Sequence, residues 1–334
     1  MNAGFWSEMN QPMFTLAPME DVTETSFREI VLSTSQPGRL HVLFTEFTST
    51  EGLCNEKGRP KVGSRLYVSP TEKELLTQMN VKLVAQIWGT KPENFLKSAQ
   101  FITENYHFDG IDINLGCPVK KIVKQGGCSA LIGKYDQVKE IIQATQEGTH
   151  LPVSVKTRTG TGKPITEEWI SFLLGCGLPA IILHGRTQKQ MSEVPADWNE
   201  IAKAVELRNN LKYSTFIIGN GDVKDYPDGI SKCKQYGCDG VMVGRGIFTD
   251  PWFFNEVKIE PSVKERFELL WKHTRLYEKN WGKTHNFLNL RRFYKIYINN
   301  FDRAQHTRMK LMETTNIEEV ARIIDESGFA GLLE

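Results

Sequence analysis

The chain has 334 residues, 40% of them hydrophobic and 24% charged, with a formal net charge of +1. That is enough for a large domain plus a small one. No run approaches the ~18 apolar residues of a membrane span, and six irregularly spaced cysteines do not make a disulfide framework. Near-neutral charge neither supports nor excludes a nucleic-acid partner, so what matters is where the charge sits.

Residues 1–11 carry neither a basic n-region nor an apolar h-region, and a reducing cytoplasmic setting is expected. Eight short apolar, β-branched runs then recur. They are Met13 to Ala17, His41 to Thr45, Leu83 to Ile87, Gly110 to Asn114, Val153 to Lys156, Ala180 to His184, Thr215 to Gly219 and Gly240 to Gly244. Amphipathic stretches such as Pro92 to Glu104, Gln137 to Gln146 and Thr166 to Leu174 fill most intervals. Alternating strand and helix indicates a parallel sheet. Eight units over ~250 residues fit an α/β fold of the closed (β/α)8 TIM-barrel kind, with a doubly wound open sheet as the alternative. Near Lys258 to Ser262 the pattern changes, and Ser262 with Glu265 has capping-box spacing. The chain therefore divides into a barrel domain, 1–258, and a C-terminal all-α helical bundle, 262–334.

A parallel barrel keeps its chemistry at the C-terminal ends of its strands. Those ends carry Pro18 and Met19, Gln86, Asn114 and Cys117, Lys156 and Arg158, His184 and Arg186, Asn220-Gly221-Asp222, and Gly244-Arg245-Gly246. Cys117 lies between Gly116 and Pro118, directly after a buried strand. That setting suits either packing or a reactive thiol. Glycines after the seventh and eighth runs suit a phosphate site, with Arg245 as counter-charge, or tight turns. Lys156 can be a rim cation or can neutralise charge developing on a cofactor ring, and Gln86 can hydrogen-bond a planar heterocycle. His184 alone reads as a structural histidine. The cysteine spacings make no metal set. Between Lys264 and Lys310, twelve Lys and Arg stand against four Asp and Glu, interleaved with Trp271, Tyr277, Trp281, Phe287, Phe293, Tyr294, Tyr297 and Phe301. This favours a polyanion partner for the tail, although most of those aromatics suit a core.

The ordered series Leu16-Ala17-Pro18-Met19-Glu20-Asp21-Val22-Thr23, Ala85-Gln86-Ile87 and Asp112 to Pro118 with Lys120-Lys121 and Gly126 resembles the tRNA-dihydrouridine synthases. Val155 to Arg158, Leu183 to Thr187, Asn220 to Asp222 and Gly240 to Gly246 continue the resemblance along nearly the whole chain. It implies a flavoprotein with FMN on the barrel rim, NADPH as reductant and tRNA as substrate. Ala17, Pro18 and Met19 would line the flavin, with Gln86 and Lys156 hydrogen-bonded to it. His184, Asn220, Gly221, Asp222, Gly244 and Arg245 would hold its phosphate end. Cys117 would be the proton donor, with Asn114, Arg158 and Arg186 facing the substrate. The helical tail would bind tRNA, without metal or membrane, and a monomer is expected. Cys128, in Gly126-Gly127-Cys128-Ser129, departs from the expected plain turn and is a minor rival to Cys117. Two other readings remain: an FMN enzyme acting on a free pyrimidine, as dihydroorotate dehydrogenases do, and a tRNA-binding protein without catalysis.

Overall fold

The computed structural model describes residues 2–333. Its strands in chain order are β1 (Met13–Leu16), β2 (Val42–Phe44), β3 (Thr48–Ser49), β4 (Lys82–Trp88), β5 (Gly110–Leu115), β6 (Val153–Arg158), β7 (Ala180–His184), β8 (Phe216–Asn220) and β9 (Gly240–Val243). Every pairing is parallel, β1 joins β9, and β2 joins β4, so the sheet closes. The closed barrel, not the open sheet, is the architecture. It has eight staves, because β3 prolongs the line of β2 beyond a break at Thr45–Phe47 and pairs with Ile87 and Trp88 of β4. That short extension was not foreseen.

Successive strand residues face opposite sides of a sheet, and the core divides accordingly. Leu83, Ala85, Ile111, Ile113, Val155, Ile181, Leu183 and Ile217 pack outward in one large cluster beneath the helices. Met13, Val42, Phe44, Val84, Ile182, Ile218 and Met242 form a separate inner cluster, joined by Phe5 and Trp6. These two aromatics belong to a short 3-10 helix, Gly4–Glu8. Two residues further along the same inward rows the side chains turn polar: Gln86 after Val84, His184 after Ile182 and Asn220 after Ile218. Strand periodicity thus builds an apolar lower barrel beneath a polar rim.

Beyond the coil at 258–262, helix Val263–Trp281 begins with the expected capping box at Ser262 and Glu265. Helices Ala304–Glu313 and Ile317–Glu326 complete most of the tail. The tail shares the barrel's outer core rather than owning a separate one. Trp281 donates its indole N–H to Glu24, and Asn280 Nδ2 donates to Ser26 Oγ at 3.1 Å. Phe293 packs on Phe27 with ring centroids 4.9 Å apart. None of the eight interleaved aromatics is exposed: five are buried and Trp271, Phe287 and Phe301 are half-buried. The five buried ones are core residues, of which Tyr277 and Trp281 also edge a groove. Nine of the twelve basic residues in that stretch are exposed.

Candidate active site

A cavity of about 630 Å3 opens at the C-terminal mouth of the barrel. It collects Ala17, Pro18, Met19, Asn114, Cys117, Lys156, Arg158, His184, Arg186, Asn220, Gly221, Asp222, Gly244 and Arg245. Of the candidate residues named from the sequence, this mouth gathers all but Gln86. That side chain is fully buried and does not line the cavity. Its Nε2 donates to Asp112 Oδ2 at 2.7 Å, and its Oε1 accepts from Asn114 Nδ2 at 3.0 Å. Phe47, Ser192, Lys224 and Thr249 also line the cavity without having been singled out. Lys224 could have been found, since it follows β8 by four residues. Phe47 sits in the β2–β3 break, which has no pattern of its own in the sequence.

Asn114 is the hinge of the thiol loop. Its Oδ1 accepts from the backbone N–H groups of Gly116 and Cys117, both at 3.0 Å. This Asx-type turn lifts Cys117 off the end of β5. Ser129 Oγ donates to the Cys117 carbonyl at 2.7 Å and ties the turn to the Gly126–Ser129 loop. Cys128 is fully buried there, and its left-handed backbone (φ +51°) directs it against Cys117. The Cys117 thiol lies low, at about 7. Hydrogen bonding from the Cys128 thiol is the largest cause; burial opposes it, and the Val119 N–H and Arg158 assist while Glu20 opposes. Cys128 is correspondingly pushed up by burial and by its partner. Cys117, the more exposed of the two, carries the charge.

The cationic side chains have separate tasks. Lys156 Nζ donates to Asn220 Oδ1 at 3.0 Å, and burial lowers its pKa to about 8, so it keeps most of its charge at neutral pH. Arg158 gives its N–H groups to the carbonyls of Gly116, Thr187 and Met191 at 2.7, 3.0 and 2.8 Å. It braces three loops through Nε and Nη1, while Nη2 makes no hydrogen bond to the described residues and stays available at the cavity wall. Arg186 donates to the Val194 carbonyl, to Asp222 and to His184 Nε2. His184 is held neutral by burial and by the cations Lys156, Arg158, Arg186 and Arg245. Accepting at Nε2, it carries its proton on Nδ1.

The Gly221 and Gly244 turns and Arg245 lie together at the same mouth. Gly221 has φ +123°, and a Cβ there would come 2.6 Å from Ala196 Cβ, so the turn requires glycine. Burial resists ionisation of Asp222, but the Arg186 hydrogen bond and the Ala196 N–H at 2.8 Å hold its carboxyl below the ordinary value. Arg186, Arg245 and ionised Asp222 together leave one net positive charge beside Gly221 and Gly244. Arg245 is 65% exposed at 3.6 Å from Asp222 and can turn toward an anion. Among the described residues, no three His, Cys, Asp or Glu side chains gather to hold a metal ion. No helix there is long and apolar enough to cross a membrane. A second groove, of about 860 Å3, runs from Glu46 and Lys121 at the rim to Tyr277 and Trp281 of the tail.

Fold and site together define a (β/α)8-barrel protein with a low-pKa thiol, a half-buried lysine and two glycine turns flanked by arginines around one mouth. Comparison with known proteins narrows this class. The family model "Dihydrouridine synthase (Dus)" matches residues 15–329, and the chain belongs to that family. A Staphylococcus aureus (strain MRSA252) protein named "Probable tRNA-dihydrouridine synthase" is 41% identical over 329 residues, 98% of this chain and 96% of its own. The Bacillus subtilis (strain 168) protein named "Probable tRNA-dihydrouridine synthase 2" is 39% identical over 328 residues, 98% and 97% of the two chains. A solved DHODH structure from Eimeria tenella, in complex with ferulenol, covers 49% of this chain and 53% of its own. With 16% identity and a TM-score of 0.38, that likeness is too slight to bear on fold or function.

Proposed function

We propose that this protein is a tRNA-dihydrouridine synthase that uses FMN and NADPH to reduce the C5=C6 bond of uridines in tRNA, with Cys117 as proton donor. The observation that carries the reading is the Cys117 thiol opening into the same cavity as Asn114, Lys156 and the Gly221 turn. The residues fit FMN. Ala17 to Met19 offer an apolar wall and Lys156 a cation for the ring; Gly221, Gly244 and Arg245 suit the phosphate end. FMN held by these residues would, once reduced, supply the hydride that uracil C6 accepts. Negative charge then builds on C5 and the C4 carbonyl. Cys117 gives its proton to C5, completing the addition of two hydrogens. The thiolate left behind is stabilised by the Cys128 thiol and the Val119 N–H, which lower the cost of proton transfer.

The target base must leave its stack, at a cost of a few kcal/mol that is smallest for an unpaired nucleotide. Lys272, Arg275, Lys279, Lys283 and Lys295 are exposed on the tail and have no carboxylate within ion-pair distance among the described residues. They supply the phosphate contacts that hold the RNA body, and the reaction is assigned to the cytoplasm. A free-pyrimidine substrate has no use for that basic surface. The test is incubation of the purified protein with FMN, NADPH and unmodified tRNA, followed by nucleoside mass spectrometry. Dihydrouridine, heavier than uridine by two hydrogen atoms, is expected from the wild type and is absent with Cys117→Ala. Full activity of that variant would remove Cys117 from the mechanism.

A further inference from the structure

We infer that Asp112, a fully buried carboxylate beneath the cavity floor, is a positioning residue that sets the hydrogen-bond polarity of Gln86 and Asn114 and thereby holds Cys117 in place. The inference rests on Cys117 being the acid of the proposed reaction and gives that loop its internal support. Strand register places Gln86 opposite Asp112 and Asp112 opposite Ser154, all facing the barrel interior. Ser154 Oγ donates to Asp112 Oδ1 at 2.6 Å, and Gln86 Nε2 donates to Oδ2 at 2.7 Å. Burial raises the Asp112 carboxyl to about 6, while these two bonds and Lys156 oppose the rise, so it remains mostly ionised at neutral pH.

An ionised carboxylate can only accept hydrogen bonds. Gln86 must therefore turn its amide nitrogen down to Asp112 and its oxygen up. That oxygen accepts from Asn114 Nδ2 at 3.0 Å, so Asn114 in turn must direct its oxygen toward Gly116 and Cys117. Reversing any amide in the series would set N–H against N–H. Polarity is thus relayed over two side chains to the backbone of the thiol loop. One N–H of Asn114 is left for the cavity, while its oxygen is already engaged twice. Asn114 is thereby suited to a carbonyl oxygen of a substrate and not to a ring N–H.

Asp112→Asn keeps the shape and removes the constraint, because its amide can present either end to Gln86. The first measurement is the pH dependence of Cys117 alkylation by iodoacetamide, followed by mass spectrometry of its peptide. Loosening the turn draws Sγ away from the Val119 N–H and Cys128, so the midpoint rises in the variant. Alkylation at pH 7 slows about fivefold, as a midpoint one pH unit higher gives. Loss of a nearby negative charge without loss of the relay would move the midpoint down. The second measurement is steady-state dihydrouridine formation: kcat is expected to fall about 10- to 100-fold, as small displacements of reacting groups cause, with the KM for tRNA within twofold. A midpoint that stays or falls overturns the inference, as does unchanged kcat. Should Asp112→Asn fail to fold, Gln86→Leu cuts the relay one step later, leaves Asp112 bonded to Ser154, and must raise the midpoint in the same way. If the wild type forms no dihydrouridine, the proposed function fails, while alkylation still judges the relay.

Discussion

Replacing Cys128 by alanine isolates the largest influence on the Cys117 thiol. The substitution keeps Cβ, so the left-handed backbone at this position is no more strained than before. It removes the S–H donor that lowers the Cys117 pKa to about 7 against the opposition of burial. Without that donor the thiol returns toward its unperturbed value of about 8.5, a change worth ~2 kcal/mol. At pH 7 the thiolate fraction drops from about one half to about 3%, so iodoacetamide should label Cys117 about 15 times more slowly. Reduction should respond in two ways. A stronger acid transfers its proton faster, so the variant turns over several-fold more slowly at pH 6, where both thiols are protonated. The wild type loses its acid as pH rises through about 7, whereas the variant keeps it to about 8.5, so the rate profiles cross. Labelling that still shows a midpoint near 7 in Cys128→Ala would refute the pairing. A pH–rate profile that does not move would remove Cys117 as the group whose protonation limits the reaction.

Other consequences are equally direct. Gly221→Ala places a methyl group 2.6 Å from Ala196 Cβ at φ +123°; it should cost about 1–3 kcal/mol in urea unfolding and abolish retention of FMN on gel filtration. Glu24→Gln weakens the bonds to the Ser26 and Phe27 amides and to Trp281 and should cost about 1–3 kcal/mol by the same assay. Burial works against ionised Glu24, but His273, Trp281 and Ser26 outweigh it and hold the carboxyl below its ordinary value. Its contribution is therefore present above the unfolded value of about 4.5 and is lost as pH falls through the lower folded one, so the variant's stability should vary less with pH in that window. If the five unpaired tail cations each meet a phosphate, log Kd for tRNA should rise with log salt with a slope of about 4, losing about one unit per cation replaced by alanine.

Much of the barrel was legible because each strand is a compact apolar run ending in a glycine or polar residue, and eight such runs close without remainder. The rim followed from the rule that barrel strands deliver chemistry at one end. What stayed hidden involves side chains that act on other side chains. Gln86 was expected on a cofactor; its burial against Asp112 depends on strand register, which one sequence does not display. Arg158 sits at a rim position, but its bracing of Gly116, Thr187 and Met191 needs three loops in place. Cys128 was noticed as a departure and weighed as a rival nucleophile. The loop geometry makes it the partner of Cys117 instead. The tail's aromatics showed an ambiguity that only burial resolves: the same spacing serves a base-stacking surface or a core, and here five of the eight serve the core.

The central claim is that electrons delivered to this barrel end on a uridine of tRNA. The most direct measurement is anaerobic. The FMN-loaded protein is reduced with NADPH and mixed with tRNA lacking dihydrouridine while the visible flavin band is recorded. The account predicts rapid return of the oxidised band, with about one dihydrouridine formed per flavin reoxidised. A band that stays bleached with tRNA, and recovers with a free pyrimidine instead, would contradict it.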